Sequence, residues 1–288
     1  MDSVPDPAVA DSTVWVIEPR REGLKARLRD VWRYRRLVRF FAIKTLQKLY
    51  AGTVLGWSWL FIRPLVPLLV NTLVFAGVLK VGSYGVPYFL FLVTGTAIWE
   101  FFASAFTWGT RSLQLNRAFM TRIYVPRLIM PVAAMSPAFF NLAISLSVLV
   151  AALIYYRATT GINHLTPPNL GWALVALALT IVLALGLSLW TSVPALQARD
   201  VRFTIGYVLG FWVFLTPVLY PLNVAPERQW LLALNPMAAI VNAFKYGVLG
   251  IPVLNVQHLA VSAAIGMAIL VSGFWFFSRA EATAADKV

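Results

Sequence analysis

Six long apolar stretches limit the folds available to this chain more than any other feature. They occupy residues 60–79, 86–106, 131–156, 172–194, 203–220 and 259–277. A helix needs about 20 apolar residues to cross a hydrocarbon layer of ~30 Å, and each stretch approaches or exceeds that length. The runs are continuous, which favours helices over the short alternating segments of a β-barrel. We therefore expect an all-α integral membrane protein with six transmembrane helices, in a domain over residues 57–277.

The composition argues against a soluble fold. Of the 288 residues, 60% are hydrophobic and only 12% are charged, whereas a soluble domain carries roughly 25% charged residues. The net charge of +13 would suit a nucleic-acid-binding protein, but the basic residues are spread among the loops and do not form one soluble module. We therefore expect a lipid bilayer, and no nucleic acid, around this chain.

The placement of the basic residues predicts the topology. Eleven of the 24 Lys and Arg residues precede Trp57, and more lie between the second and third stretches and between the fourth and fifth. The loops between the first and second, third and fourth, and fifth and sixth stretches hold only four basic residues, Lys80, Arg157, Arg228 and Lys245. Basic loops stay in the cytoplasm, so both termini are predicted to be cytoplasmic. An even number of spans agrees with this topology of a multi-pass membrane protein.

The N-terminal region divides into a tail and a helix. Residues 1–20 are polar and acidic and lack the apolar core of a signal peptide, so we expect a flexible tail and insertion directed by the first span. Over residues 21–56, apolar side chains such as Leu24, Leu28 and Phe41 recur at helical spacing between arginines. This pattern predicts an amphipathic helix in the cytoplasmic interface, although a flank that only sets topology is the alternative. Residues 278–288 are expected to form a cytoplasmic tail.

The region between the fifth and sixth stretches is too apolar for an ordinary loop. It contains apolar pieces of 10 to 14 residues interrupted by Pro226, Pro236, Gly247, Gly250 and Pro252. Such pieces are too short to span a bilayer, and they are typical of re-entrant or interfacial helices. Irregular backbone at that depth must be buried in protein or line a cavity. We therefore expect re-entrant helices on the outer side, with a gate at that face.

Polar and aromatic residues within the spans suggest a pathway. Glu100 is the only acidic residue within a predicted span, and a charge in hydrocarbon usually faces a cavity or a partner. Arg63 is a possible ion-pair partner, while a Glu100 side chain that only reaches the inner interface is the competing interpretation. Aromatic rings can stack on sugars, although packing against lipid is commoner. The candidate pathway residues are Arg63, Tyr88, Trp99, Glu100, Phe102 and Phe106.

Motifs of catalysis and cofactor binding are absent from the sequence. There is no G-x-x-x-x-G-K-[ST] phosphate loop, no H-E-x-x-H pair, no G-x-S-x-G elbow and no cysteine. The two histidines, His164 and His258, are far apart in sequence, which argues against a His-based metal site. We therefore expect no catalytic residue, metal or cofactor in this chain. If transport is driven by ATP, another chain binds the ATP and its Mg²⁺.

Several short markers, in a fixed order on six apolar stretches, carry a family resemblance. They are Gly56-Trp57 with Pro64, Gly95 with Trp99-Glu100-Phe101-Phe102, Asn116 with Arg122-Ile123-Tyr124-Val125-Pro126-Arg127 and Pro131, Arg199-Asp200, Thr216-Pro217-Val218-Leu219-Tyr220-Pro221, and Asn235-Pro236-Met237 with Phe244-Lys245. Together they resemble the membrane permease of ATP-binding-cassette exporters for lipid-linked polysaccharides such as O-antigen, capsule and teichoic acid. The resemblance covers residues 50–245.

The resemblance implies an assembly and two functional surfaces. It implies a homodimeric permease bound to two copies of an ATP-binding subunit, with a glycan on an undecaprenyl-type carrier as substrate. A coupling helix would dock the ATP-binding subunit through Arg111, Asn116, Arg117, Arg122 and Arg127. The outer gate would include Pro217, Tyr220, Pro221, Asn235 and Pro236. Arg122 and Lys245 stand where the family often has Lys and Arg, which keeps the charge but changes the hydrogen-bond geometry.

Three other functions remain open from the sequence alone. A permease of the same class could carry a small molecule or drug. A membrane-embedded glycosyltransferase or acyltransferase would need a cluster of catalytic carboxylates or histidines, which the sequence lacks. An ion channel or secondary carrier would show paired ionisable residues within spans and an internal repeat, and neither is evident.

Overall fold

The computed structural model describes residues 34–50, 58–117, 128–221 and 234–285, and all regular structure in these ranges is helical. The α-helices are α1 (Arg35–Tyr50), α2 (Trp59–Thr72), α3 (Tyr88–Leu115), α4 (Ile129–Ala134), α5 (Ser136–Thr160), α6 (Leu170–Gln197), α7 (Arg199–Trp212), α8 (Pro236–Leu249) and α9 (Val256–Ala285). A π-helical turn, Leu73–Val78, continues α2, and short 3-10 turns, Pro167–Asn169 and Val213–Leu215, precede α6 and follow α7. The all-α prediction is confirmed for these residues.

Among the residues that the structure describes, five helical stretches are long and apolar enough to cross a membrane. They are Phe61–Val78, Tyr88–Leu115, Ile129–Thr160, Pro167–Gln197 and Val256–Ala280. Each overlaps one of the apolar stretches predicted from the sequence. A chain with this many apolar helices of spanning length is an integral, multi-pass membrane protein.

The fifth predicted stretch, residues 203–220, differs from the observed helix. Helix α7 has 14 residues and its 3-10 continuation has three, which gives a length of about 25 Å, shorter than the hydrocarbon layer. The helix stops because Thr216 is extended, with φ −112° and ψ 136°. Thr216 precedes Pro217, and a residue before proline is driven out of the helical region. The helical part of this stretch therefore ends five residues before the predicted end.

Helix α3 lies at the centre of the fold. Eighteen of its 28 residues are buried, and it packs against α5, α6, α7 and α8. Leu69 and Val70 of α2, by contrast, are exposed, as is Leu73 of the π-helical turn that follows it. Helix α2 continues through two prolines, Pro64 and Pro67. The packed interior of the chain is thus built around α3 and α6.

Helix α1 packs one apolar side chain into the interior and exposes arginines elsewhere, while its place in the cytoplasmic interface stays a prediction. Phe41 is only 2% exposed and packs with residues of α3, α4 and α9, among them Leu113, Met130 and Phe277. Arg36 and Arg39 lie on the exposed side of the helix. The described helix begins at Arg35, so the remainder of the predicted 21–56 segment lies outside the described residues.

Small residues allow α6 and α9 to approach closely. A Cβ atom added to Gly273 of α9 would lie 2.5 Å from the backbone oxygen of Gly186 on α6 and 2.9 Å from Cδ1 of Trp190. Gly266 lies about two helical turns earlier on α9 and also faces α6. A Cβ atom there would lie 3.8 Å or more from its neighbours, which is ordinary contact distance. Close backbone approach at glycine is typical of helix packing in membranes.

We predict that Gly273→Ala destabilises the protein whereas Gly266→Ala does not. The methyl group at 273 meets a backbone oxygen that cannot rotate away, and overpacking of this kind costs about 1–3 kcal/mol. The measurement is the temperature at which the detergent-solubilised chain loses its monodisperse peak in gel filtration. Equal transition temperatures for the two variants would contradict the close contact between α6 and α9.

Candidate functional site

An irregular stretch of backbone follows α7, and all of its carbonyl groups near the helix end are hydrogen bonded. From Trp212 to Leu219 each backbone oxygen accepts a hydrogen bond. The oxygens of Trp212 and Val213 accept from Oγ1 and N of Thr216, that of Phe214 accepts from Tyr220 Oη, and that of Leu215 accepts from Asn235 Nδ2. The oxygen of Thr216 accepts from Val218 N, those of Pro217 and Val218 both accept from Lys245 Nζ, and that of Leu219 accepts from Tyr88 Oη. Residues 216–219 are also buried. We call residues 216–221 the outer segment, after the face at which the sequence predicts them to lie.

Three side chains from other helices supply bonds to this backbone. Tyr88, at the start of α3, donates from its hydroxyl to the Leu219 carbonyl. Asn235, the N-cap of α8, donates to the Leu215 carbonyl at 3.0 Å, and Lys245 of α8 donates to the carbonyls of Pro217 and Val218. The outer segment is therefore held between α3 and α8 by side chains instead of by a regular backbone ladder.

Asn235 uses its amide group in four hydrogen bonds. Its Oδ1 atom accepts from Trp212 Nε1 at 2.9 Å and from the Met237 backbone N at 3.1 Å. Its Nδ2 atom donates to the Leu215 carbonyl and to Thr216 Oγ1, both at 3.0 Å. The bond to Met237 is the usual N-cap interaction of a helix, and Pro236 occupies the first helical position, where a missing N–H costs nothing. One residue thus starts α8 and fixes the end of α7.

Lys245 lies in the interior and not in a loop, contrary to the topology prediction. Its side chain is 1% exposed, and α8 is buried along almost its whole length. The Nζ atom lies 2.7 Å from the Pro217 oxygen, 3.1 Å from the Val218 oxygen and 3.4 Å from the centroid of the Phe91 ring. The reason for the error is that a single lysine in an apolar run was counted as a loop charge. A lone ionisable residue in such a run is itself a sign of a buried site.

The predicted aromatic pathway residues pack together inside the chain. Trp99 and Phe102 both contact Trp212 of α7 edge-on, with ring centroids 6.3 and 5.3 Å apart, respectively. Phe102 also stacks on Phe106. Tyr88, Trp99, Phe102 and Phe106 are all less than 9% exposed in the single chain. Their assignment to a pathway stays a prediction, and Trp212, which we did not predict, joins them.

Arg63 and Glu100 do not form the ion pair that we considered. Both side chains are exposed, and neither is in an ion pair or hydrogen bond with any residue that the structure describes. Glu100 lies near the middle of α3, between buried residues on either side in sequence. The Glu100 carboxylate therefore lies on the surface of one copy of the chain, near the middle of a helix long enough to span a membrane. Contact of a charged carboxylate with hydrocarbon is unfavourable at that position.

Three of the five predicted docking residues are described. Arg111 and Arg117 are exposed at the end of α3. Asn116 is 7% exposed and donates from Nδ2 to the Ser112 carbonyl at 3.0 Å, so its side chain caps its own helix. Arg122 and Arg127 lie outside the described residues. Within the described ranges, no group of three or more His, Asp or Glu side chains could hold a metal ion.

The structure brings together most of the predicted outer gate. Pro217 and Pro221 are buried in the outer segment, and Tyr220 donates from its hydroxyl to the Phe214 carbonyl at 2.9 Å. Asn235, which precedes Pro236 at the start of α8, donates to Thr216 Oγ1 of the same segment. Tyr88, which we assigned to the pathway, also binds this segment. The marker residues predicted the segment, whereas the long-range donors could not be recognised without the fold.

We predict that Tyr88→Phe lowers the thermal stability of the solubilised chain, whereas Tyr207→Phe leaves it unchanged. The first substitution leaves the Leu219 carbonyl unpaired at a cost of about 1–3 kcal/mol. Tyr207 is 73% exposed, and it serves as the matched control. The measurement is the unfolding midpoint in detergent, and an unchanged midpoint for Tyr88→Phe would show that this hydroxyl does not support the segment.

Comparison with known proteins agrees with this helical arrangement. The family model described as ABC-2 type transporter matches residues 36–249. An O-antigen export system permease protein, RfbA of Myxococcus xanthus, is 28% identical over 222 residues, which cover 76% of this chain and 82% of that protein. Two proteins of the same name from Klebsiella pneumoniae are each 24% identical, over 238 and 241 residues, which cover 82% of this chain and 88% of theirs.

The family match extends from α1 to the end of α8. It therefore includes the central helix α3, the outer segment and the side chains that hold it. Since this match covers well over half of the sequence, the chain belongs to the ABC-2 type transporter family.

Proposed function

We propose that this chain is the membrane subunit of an ATP-driven exporter that moves a lipid-linked polysaccharide across the bacterial inner membrane. The observation that carries the proposal is the similarity to three O-antigen export permeases over at least 76% of the chain. The substrate is an O-antigen, a capsule glycan or a teichoic-acid-like glycan, carried on an undecaprenyl-type lipid. The family match, residues 36–249, supports a transport role over an enzymatic one.

The exporter requires partners. In our proposal two copies of this chain bind two copies of an ABC ATP-binding subunit, and that subunit holds the ATP and Mg²⁺. The exposed Arg111 and Arg117 support a docking surface at the end of α3. Leu115, between them, is 46% exposed, so the surface combines charge with an apolar side chain. Arg122 and Arg127 extend the surface in our proposal, and Asn116 supports it by capping α3.

The proposed topology places the outer segment and α8 at the outer face. Helix α8 has 14 residues, which corresponds to about 21 Å and is too short to span a bilayer. It begins beside Trp212, whose ring contacts the middle of α3, and its Val248 carbonyl accepts hydrogen bonds from Thr166. These contacts support a re-entrant helix that returns to the outer face, with α7 and the outer segment forming the fifth of six crossings.

Glu100 and Arg63 belong to the proposed pathway. Both are exposed in one copy of the chain without an ion pair among the described residues. An unpaired carboxylate near the middle of a spanning helix is stable only where water, substrate or another protein chain meets it. This requirement supports a pathway between two copies of the chain. The buried aromatic residues Tyr88, Trp99, Phe102 and Phe106 then lie beneath the surface that lines the pathway.

We predict that cells lacking this chain accumulate lipid-linked polysaccharide on the cytoplasmic side of the inner membrane and lose it from the surface. The wild-type chain restores export, whereas the double variant Arg111→Glu and Arg117→Glu does not, because reversed charges repel the ATP-binding subunit. The measurements are surface glycan on gels and recovery of the ATP-binding subunit with the tagged permease.

The control for that experiment is Arg157→Glu. Arg157 is an exposed arginine in the last turn of α5, on the face opposite to the proposed docking surface, and its reversal leaves both measurements unchanged. Normal surface glycan in cells without the chain would contradict polysaccharide export. Full recovery of the ATP-binding subunit with the double variant would contradict the docking surface alone.

We also predict the sidedness of two introduced cysteines. The chain has no native cysteine, so Asn163→Cys, in the exposed turn after α5, and Arg117→Cys can be labelled singly. An impermeant maleimide added to spheroplasts labels position 163, and it labels position 117 only after the membrane is permeabilised. Labelling of position 117 from outside would reverse the proposed topology.

A further inference from the structure

The surroundings of Lys245 are built for its amine. A lysine ammonium has three N–H donors, and three acceptors surround Nζ in the structure: the Pro217 carbonyl, the Val218 carbonyl and the face of the Phe91 ring. A buried charge that lacks partners is strongly unfavourable in an apolar interior. The three acceptors therefore leave no N–H donor of the Lys245 amine without a partner.

Gly95 provides the space for this side chain. A Cβ atom on Gly95 would lie 2.7 Å from Lys245 Cε, 3.0 Å from Nζ and 3.0 Å from the Val218 oxygen. The lysine, the carbonyl and α3 thus meet at one point where a methyl group does not fit. Gly95 lies inside α3, where glycine has no conformational advantage over alanine. Its role at this position is consequently the close approach of Lys245 and the outer segment.

We propose that Lys245 is a positioning residue that latches the outer segment against α3, and that the outer end of the pathway opens only when the segment leaves the lysine. The first half rests on the contacts of Nζ, and the second half rests on the proposed export function. Helix α8 is buried and packs against α3, α6 and α9, so the lysine is a fixed anchor. The outer segment lacks a regular helical ladder, and its attachment depends on a few side-chain donors.

The experiment measures access to the outer segment in the full chain, purified and placed in lipid nanodiscs. Leu219 is 7% exposed, and Leu219→Cys is labelled slowly by a water-soluble maleimide. Lys245→Met keeps the apolar stem of the side chain and removes the donors. We expect labelling at position 219 to become about tenfold faster or more, because the loss of both hydrogen bonds of Nζ corresponds to at least this factor in an equilibrium.

Two further variants separate a latch from general loosening of the fold. Gly95→Ala keeps the lysine but displaces it, and it increases labelling at position 219 as Lys245→Met does. Gly109→Ala on the same helix is equally crowded, since its Cβ would lie 2.2 Å from Ser188 Oγ, but it leaves position 219 protected. A reference cysteine, Leu183→Cys, lies in the α6 core at 0% exposure and stays protected in all variants.

The outcomes decide the proposal without reference to the substrate. Faster labelling at 219 with no change at 183 supports the latch. Unchanged labelling at 219 in Lys245→Met overturns it, and so does an equal increase at 219 and 183, because Lys245 would then stabilise the whole fold. Loss of surface glycan export in Lys245→Met cells links the latch to transport. If the chain proved to export another substrate, the labelling result would stand and only the proposed function would fail.

Discussion

The backbone from Trp212 to Leu219 is the constraint on which this structure depends. In hydrocarbon, no water is available to bond an exposed carbonyl, so a chain that leaves the helical path must find donors within the protein. Here the helix stops before Pro217, and the following carbonyls are bonded by Asn235, Lys245 and Tyr88. Among the described residues, the donors that other helices supply to these carbonyls come from α3 and the start and interior of α8, and these bonds tie both helices to the end of α7.

This requirement also explains which sequence predictions succeeded. Apolar length alone identifies five of the helical spans, because a bilayer imposes nearly the same length on every helix that crosses it. It is less exact at residues 203–220, where composition is apolar but the helix ends before Pro217. Hydropathy does not separate a spanning helix from a shorter helix followed by extended backbone. Local proline chemistry decided the outcome there.

The candidate site could be predicted only in part for a similar reason. The Pro217, Tyr220, Pro221, Asn235 and Pro236 markers are close in sequence to the backbone that they shape, so a local pattern identifies them. Tyr88 and Lys245 act on carbonyls 131 and 28 residues away, and no periodicity connects such positions. Lys245 was assigned to a loop because its single charge resembles a topology signal when α8 is not known to be buried.

Helix α3 connects the two ends of the proposed mechanism. It carries Tyr88 and Gly95 against the outer segment and ends in the exposed Arg111 and Arg117, over 28 residues or about 42 Å. Its N–H and C=O groups are satisfied within the helix, and most of its faces are buried, so it moves as a rigid body more readily than it bends. A displacement by a bound partner of the end that we propose to be cytoplasmic would therefore shift the contact between Gly95, Lys245 and Val218. The closeness of that contact, where even a methyl group does not fit, means that a small shift of α3 changes whether Lys245 can bind both carbonyls.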